Sequence, residues 1–312
     1  MASNQPSVFI DGEAGTTGLG IRQRLEMLPG ITLRSLPAGQ RKDRSARQDM
    51  MAACDLVVLC LPDDAAREAV GLAGALGSAA PKLLDASTAH RVDPEWTYGF
   101  PEMAPGQPRQ IAAASKVANP GCYATGAIGL LRPLVQAGLV PPDHPIAISA
   151  VSGYSGGGRS LIEAHDRDGG PAFELYALGL EHKHVPETEV YSGLSRRPIF
   201  IPSVGHFRRG MLVSIPLYLE NLPGRPTGSD LRDALRAFYE GSEHVQVMAA
   251  NAQDKLEPQA LNGTNRLELY VWANEARRHA LLVARLDNLG KGASGAAVQN
   301  LRLMLDLGLG PD

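Results

Sequence analysis

The turn Gly12-Glu13-Ala14-Gly15-Thr16-Thr17-Gly18 constrains the fold of this chain more than any other segment. It follows the apolar run Ser7-Val8-Phe9-Ile10-Asp11. It leads into a helical pattern with Ile21, Leu25 and Leu28 at i, i+4 and i+7, which Pro29-Gly30 stops. Strand, glycine-rich turn and helix in that order form a βα unit. Glycines at G-x-x-G-x-x-G spacing permit the tight turn, the approach of backbone to a pyrophosphate and close packing of helix on strand, while the helix N-terminus stabilises the anion. Gly12, Gly15, Thr16, Thr17 and Gly18 are therefore candidate nucleotide-binding residues.

The alternation continues. ITLRSLP reads as a second strand, followed by a polar helix ending near Ala53, the apolar strand DLVVLCLP, an Ala-rich helix from about Asp64 to Gly77 and the strand KLLDAS. Strands apolar on both faces, alternating with helices, predict a doubly wound, mostly parallel α/β Rossmann domain. Beyond residue 122 the texture changes. PIAISAV, FIPSV, GMLVSIPLYL, RLELYVWAN and HALLVARLD succeed one another with few helices between, which predicts an inserted α+β domain with a mostly antiparallel sheet. The final stretch GKGASGAAVQNLRLMLDLGL returns to a helical period and is expected to pack back on the first domain. The expected domains are residues 1–117 with 287–312, and residues 118–286. PGRPTGSD, residues 223–230, reads as an exposed loop.

With 312 residues, 44% of them hydrophobic and 20% charged, the chain can bury two cores. A formal net charge of −3 with interspersed signs offers no basic stripe to nucleic acid and no polybasic run to a membrane, so small molecules and copies of itself are the expected partners. The N-terminus MASNQPSVFI has no basic region followed by a long apolar stretch, and no run approaches the ~20 apolar residues of a membrane span; a cytoplasmic location is expected. Three cysteines at unrelated spacings fit no disulfide framework. Cys54 and Cys60, before and within the third strand, read as small buried hydrophobes.

A dinucleotide without a 2′-phosphate calls for an acid at the end of the second strand, about twenty residues beyond the glycine turn. That strand ends Arg34-Ser35-Leu36-Pro37, and the loop after it carries Arg41, Lys42 and Arg44. The missing acid and the neighbouring bases favour NADP(H), with Arg41 and Lys42 as candidate ligands of the 2′-phosphate.

Cys122 follows a Pro-Gly turn where a loop gives way to a helix, VANPGCYATG. A helix N-terminus lowers the pKa of a thiol, and Asn119, Gly121 and Thr125 are poor material for an apolar pocket, so Cys122 reads as a reactive nucleophile. Such a thiol needs a partner for proton transfer. His182 and His184 in HKHVPE, taken as an extended segment, would face one way, and His206 follows in GHFRR; the other histidines read as surface or packing residues. The spacings of Cys122 and these histidines match no usual zinc set, and no metal is expected.

NPGCYATG, GYSGGGR (153–159), HKHVPE and DNLGKGASGAAVQNL together, in order over nearly the whole chain, resemble the short form of the N-acetyl-γ-glutamyl-phosphate reductases, acyl-phosphate reductases of arginine biosynthesis. The resemblance implies the fold of the aspartate-semialdehyde dehydrogenase relatives: an NADP-binding domain completed by the C-terminal helix, with a catalytic and oligomerising domain inserted, in a homodimer or homotetramer. It implies Cys122 as nucleophile and His184 as acid/base. Asn288 and Gly290 would then lie beside the nicotinamide. Ser152, Ser155 and Asn119 would face the substrate with His182 and His206, and Arg159, Arg208 and Arg209 would meet the leaving phosphate. Reduction of a related aminoadipyl or aspartyl phosphate, or a non-catalytic NADP-binding redox sensor, are the alternatives.

Overall fold

A computed structural model describes residues 5–249 and 254–307. The chain divides into two compact units, Met1–Pro120 with Ala293–Asp312, and Gly121–Gly292. Both crossings fall later than the expected 117/118 and 286/287. The first coincides with the Pro-Gly turn before Cys122, and the second lies inside a π-helical turn, Gly290–Ser294.

The first unit holds β1 (Ser7–Asp11), α1 (Thr16–Glu26), β2 (Thr32–Arg34), α2 (Arg44–Ala52), β3 (Leu56–Leu59), α3 (Asp63–Gly74), β4 (Lys82–Asp85), β5 (Thr97–Tyr98), α4 (Gln107–Ala113) and β6 (Lys116–Ala118). Its strands pair in the order β2-β1-β3-β4-β6-β5, every pair parallel. β1, β3 and most of β4 are buried, as their unbroken apolar sequences require of strands covered on both faces. Val8, Ile10, Leu56, Val58 and Leu84 pack with Ile21 and Leu25 of α1 on one face, while Phe9, Val57, Leu59 and Leu83 pack with Met51 and Leu72 on the other. Because β1 neighbours both β2 and β3, the strand order reverses there, the place where open sheets of this kind bind ligands. The glycine-rich turn leaves β1 at that point. The expected final helix is α9 (Gly295–Met304), whose Ala297, Val298, Leu301 and Met304 join the core beside α1 and α4; residues 308–309 of that stretch lie outside the described residues. Cys54 is buried as expected, whereas Cys60 follows β3 rather than lying within it and is partly buried against the α1 core.

The second unit holds α5 (Cys122–Gln136), β7 (Ala147–Gly153), α6 (Gly158–Asp168), β8 (Phe173–Leu175), α7 (Val185–Ser192), β9 (Ile199–Gly205), β10 (Met211–Tyr218), α8 (Gly228–Phe238), β11 (Val245–Val247), β12 (Leu267–Asn274) and β13 (His279–Leu286). The sheet runs β11-β12-β13-β10-β7-β9-β8, antiparallel except at β11–β12 and β7–β9. α5 lies against it so closely that a Cβ on Gly126 would stand 2.8 Å from a Val213 methyl, and one on Gly129 3.0 Å from Leu267. The expected loop 223–230 is partly helix. Gly228 opens α8, where the Thr227 hydroxyl accepts the Asp230 N–H and the Asp230 carboxylate accepts the Thr227 N–H, a capping box that turns Gly-Ser-Asp into a first helical turn.

Candidate active site

In the first unit the glycines of the turn have different reasons to be glycine. Gly12 has φ +90°, and a Cβ there would run into the Cys60 carbonyl. A Cβ on Gly18 would come 2.6 Å from the Gly12 carbonyl oxygen. Gly15, the N-cap of α1, has φ −77°, and a Cβ on it would meet nothing closer than 3.5 Å. The chain's own packing therefore does not exclude a side chain at Gly15, whereas a ligand seated on the turn would. Thr16 and Thr17 open α1 beside it. This cradle fits a dinucleotide pyrophosphate.

The basic residues expected at the 2′-phosphate are not all alike. Arg44 lies 3.2 Å from Glu68, and Lys42 is exposed. Arg41 is paired with Glu13 at 2.6 Å, and the Glu13 carboxylate also accepts the Ser35 hydroxyl just past β2. An acid thus does stand at the end of the second strand, delivered by the glycine turn rather than by the strand. Sequence spacing could not show it. Behind the turn, Arg47 holds Asp11 with two hydrogen bonds, of 2.7 and 3.0 Å, although burial still pushes the Asp11 carboxyl up.

In the second unit Cys122 is the first residue of α5, with Gly121 as N-cap in extended conformation. The Gly121 N–H donates to Glu187 Oε2 at 3.0 Å, and the Gly121 carbonyl accepts both the Thr125 N–H and the Thr125 hydroxyl. Glu187, buried at 1% exposure, thereby anchors the turn that presents the thiol. His182 and His184 do not form the expected extended segment. His184 is αR, the N-cap of α7, and its N–H donates to His182 Nδ1 at 3.1 Å. A turn still gathers the two rings, with centroids 4.7 Å apart and both 5.8 Å from the Tyr123 ring. With Nδ1 accepting, neutral His182 carries its proton on Nε2, which faces the Tyr176 oxygen at 3.4 Å; Tyr176 donates to Tyr123, and Tyr123 to the Ser203 carbonyl. Burial pushes the Tyr176 phenol up to about 12, offset by its bond with Tyr123 and reinforced by the charge of nearby Cys122. Burial, with Tyr176 and Cys122, raises Tyr123 as well. Tyr176 stands in no motif, and Glu187, although it closes HKHVPE, has a bond to Gly121 across 66 residues that local spacing does not encode.

Other expected residues serve to brace the site. Asn288 Nδ2 donates to the Ser155 hydroxyl at 3.0 Å and Asn288 Oδ1 accepts the Gly210 N–H at 2.9 Å, which ties the turn after β7 to the Arg208-Arg209-Gly210 turn. Asn288 and Gly290, expected at the nicotinamide, have packing uses in this unit, since a Cβ on Gly290 would strike the Thr264 carbonyl. A Cβ on Gly292 would stand 2.7 Å from that of Cys122, so this glycine makes room for the cysteine. Ser152 is buried, its hydroxyl on the Gly153 carbonyl. Asn119, in the first unit, spends its side chain on the Ala293 carbonyl and on Asn300, while its own carbonyl accepts Nε of buried Arg91. Arg159 makes an exposed i,i+4 pair with Glu163, and Arg208 pairs with Asp166; Arg209 accepts an Asn262 N–H on its carbonyl. His206 joins not His182 but His165, Nδ1 to Nδ1 at 2.9 Å, with Tyr154 stacked on His165, which is buried and so takes the packing half of its surface-or-packing reading. Among the described residues no group of three or more His, Cys, Asp or Glu is placed to hold a metal ion.

Residues 12–111 match the semialdehyde dehydrogenase NAD binding domain, and residues 122–288 the semialdehyde dehydrogenase dimerisation domain. The chain is 54% identical over 307 residues to an N-acetyl-γ-glutamyl-phosphate reductase of Burkholderia cenocepacia, covering 96% of this chain and 97% of the relative. It is 51% identical to N-acetyl-γ-glutamyl-phosphate reductase 2 of Pseudomonas putida, with coverage of 96% and 97%. Among solved structures, aspartate semialdehyde dehydrogenase II of Vibrio cholerae shares the fold, with a TM-score of 0.74 at 16% identity over 97% of this chain and 99% of that one. A semialdehyde dehydrogenase fold with a cysteine at the head of α5, and half-identity to these reductases over nearly its full length, place the chain in the N-acetyl-γ-glutamyl-phosphate reductase family.

Proposed function

We propose that this chain reduces N-acetyl-γ-glutamyl phosphate to N-acetylglutamate 5-semialdehyde with release of phosphate, using NADPH. The observation that carries the reading is Cys122 at the first position of α5, its turn anchored by Glu187, with Tyr176 near enough to feel its charge and the rings of His182 and His184 gathered against the adjoining Tyr123. The unpaired N–H groups and dipole of α5 favour the thiolate. The thiolate attacks the acyl carbonyl, the carbon–sulfur bond forms, the carbon–oxygen bond to phosphate breaks, and a thioester on Cys122 remains. NADPH, when bound, supplies the hydride that reduces this thioester. Collapse of the resulting thiohemiacetal breaks the carbon–sulfur bond and returns aldehyde and thiolate. His184 holds and moves the proton at the carbonyl oxygen, with Tyr176 and His182 fixing the rings around it. Gly12, Gly15, Thr16, Thr17 and Gly18 would hold the pyrophosphate, and Arg41 with Lys42 the 2′-phosphate. Arg208 and Arg209 are the remaining guanidinium candidates for the leaving phosphate.

The open face of the second sheet supports a homodimer. Ile199 and Ile201 of β9, Tyr218 of β10 and Leu281 of β13 are exposed there, an apolar surface that a second copy of the chain would cover. The test of the activity is phosphate-dependent reduction of NADP⁺ by the purified chain with N-acetylglutamate 5-semialdehyde, run beside aspartate and aminoadipate semialdehydes. Turnover only with the N-acetylated substrate is expected; preference for either of the others overturns the substrate assignment.

A further inference from the structure

The carboxylate of Glu13 is met from three sides. Arg22 Nη1 lies 2.7 Å from Oε2, Arg41 Nη2 2.6 Å from Oε1, and the Ser35 hydroxyl donates to Oε2 at 2.9 Å. Ser35 also accepts from Arg22 at 2.7 Å, and Arg41 Nε donates to the Leu36 carbonyl at 3.3 Å. Only 9% of the Glu13 side chain is exposed, against 34% for Arg22 and 44% for Arg41. The cluster sits at the C-terminal end of β2, beside the glycine-rich turn. In a doubly wound sheet that is the place of the adenosine ribose, where an acid accepts a 2′-hydroxyl or a base takes a 2′-phosphate.

Here both kinds of group meet at one point. A 2′-phosphate would find donors in Ser35 and Arg41, but Glu13 already holds both and would repel the phosphate's roughly two negative charges. A 2′-hydroxyl would instead find an acceptor in Glu13. Resting on the reading that the first unit binds NADP(H), we propose that Glu13 is a specificity-determining residue whose carboxylate holds down this chain's preference for the 2′-phosphorylated nucleotide. Its removal releases Arg41 and Ser35 to the phosphate and takes the acceptor from the 2′-hydroxyl.

Calorimetric titration of the full chain with NADP⁺ and with NAD⁺, for the parent, Glu13→Gln and Glu13→Ala, tests this, with thermal unfolding to confirm that each variant is folded. The ratio of NADP⁺ to NAD⁺ affinity should rise at least about tenfold in each folded variant. Adenosine 2′,5′-bisphosphate against adenosine 5′-monophosphate should show the same rise, and Arg41→Gln should lower the ratio. An unchanged or falling ratio in the Glu13 variants would mean that Glu13 only holds Arg41 in place, and overturns the proposal. A parent chain that binds neither dinucleotide overturns the reading beneath it.

Discussion

Cys122 owes its position to a Pro-Gly turn that can be read in the sequence, but its setting owes as much to residues that cannot. Glu187 fixes the turn through the Gly121 N–H, and Tyr176 reaches the thiol's surroundings from a segment more than fifty residues away. Cys122→Ser should therefore fold and bind NADPH yet lose kcat by about 10³-fold or more, because a serine alkoxide is far harder to form and leaves far less readily than a thiolate. His184→Asn should lower kcat by roughly 10² to 10⁴ with nucleotide affinity unchanged, measured by steady-state kinetics beside direct titration. Since the Tyr176 phenol is pushed up to about 12, it stays protonated through neutral pH, and Tyr176→Phe should leave the pH midpoints of kcat/KM where they are while lowering its plateau. At this scale the place of Cys122 at a helix start and the pairing of His182 with His184 were legible because each stood in a local motif. Glu13 beside Ser35, His165 beside His206 and Glu187 beside Gly121 join distant segments, and no local spacing encodes such pairs.

β1 and β3, apolar runs buried on both faces, and the predominantly apolar β10, β12 and β13 were legible as strands because burial favours such sequences. β5, α4 and β6, at two, seven and three residues, are too short to show a period, and α8 was hidden by a loop-like Gly-Ser-Asp start that a capping box makes helical. The glycine-rich turn gives a paired expectation. Gly18→Ala should disturb the protein itself, since the added methyl meets the Gly12 carbonyl, whereas Gly15→Ala should keep the melting temperature and weaken NADPH binding about tenfold or more, about 1.4 kcal/mol. At the start of the sheet Asp55 accepts the Ser7 N–H at 2.7 Å and the Ser7 hydroxyl at 2.8 Å, linking the segment before β3 to β1 and holding the Asp55 carboxyl below its ordinary range. A carboxyl whose pKa is lowered on folding adds stability above its unfolded pKa, near 4, and loses it as the pH falls through the folded value. Asp55→Asn should cost about 1 kcal/mol at pH 7 for this exposed side chain, a difference that closes in urea melts run under strongly acid conditions.

For the molecule as a whole, two textures in the sequence, alternating strands and helices followed by clustered strands, were enough to foresee two units of different class. The exact crossings were not legible, because Pro120-Gly121 and the π-helical turn at Gly290–Ser294 belong to continuous segments that change unit without a linker. The exposed Ile201 and Leu281 were likewise indistinguishable in sequence from core strand residues. Ile201→Asp with Leu281→Asp should shift sedimentation from dimer to monomer while each unit stays folded by circular dichroism. The proposed chemistry turns on Cys122 carrying the acyl group. Mass spectrometry of the chain mixed with N-acetyl-γ-glutamyl phosphate in the absence of NADPH tests it, with released phosphate assayed in parallel. An N-acetylglutamyl group on the Cys122 peptide, with a matching burst of phosphate, is the expected result; an acyl group on another residue, or an unmodified Cys122 peptide in an enzyme that turns over once NADPH is added, would contradict it.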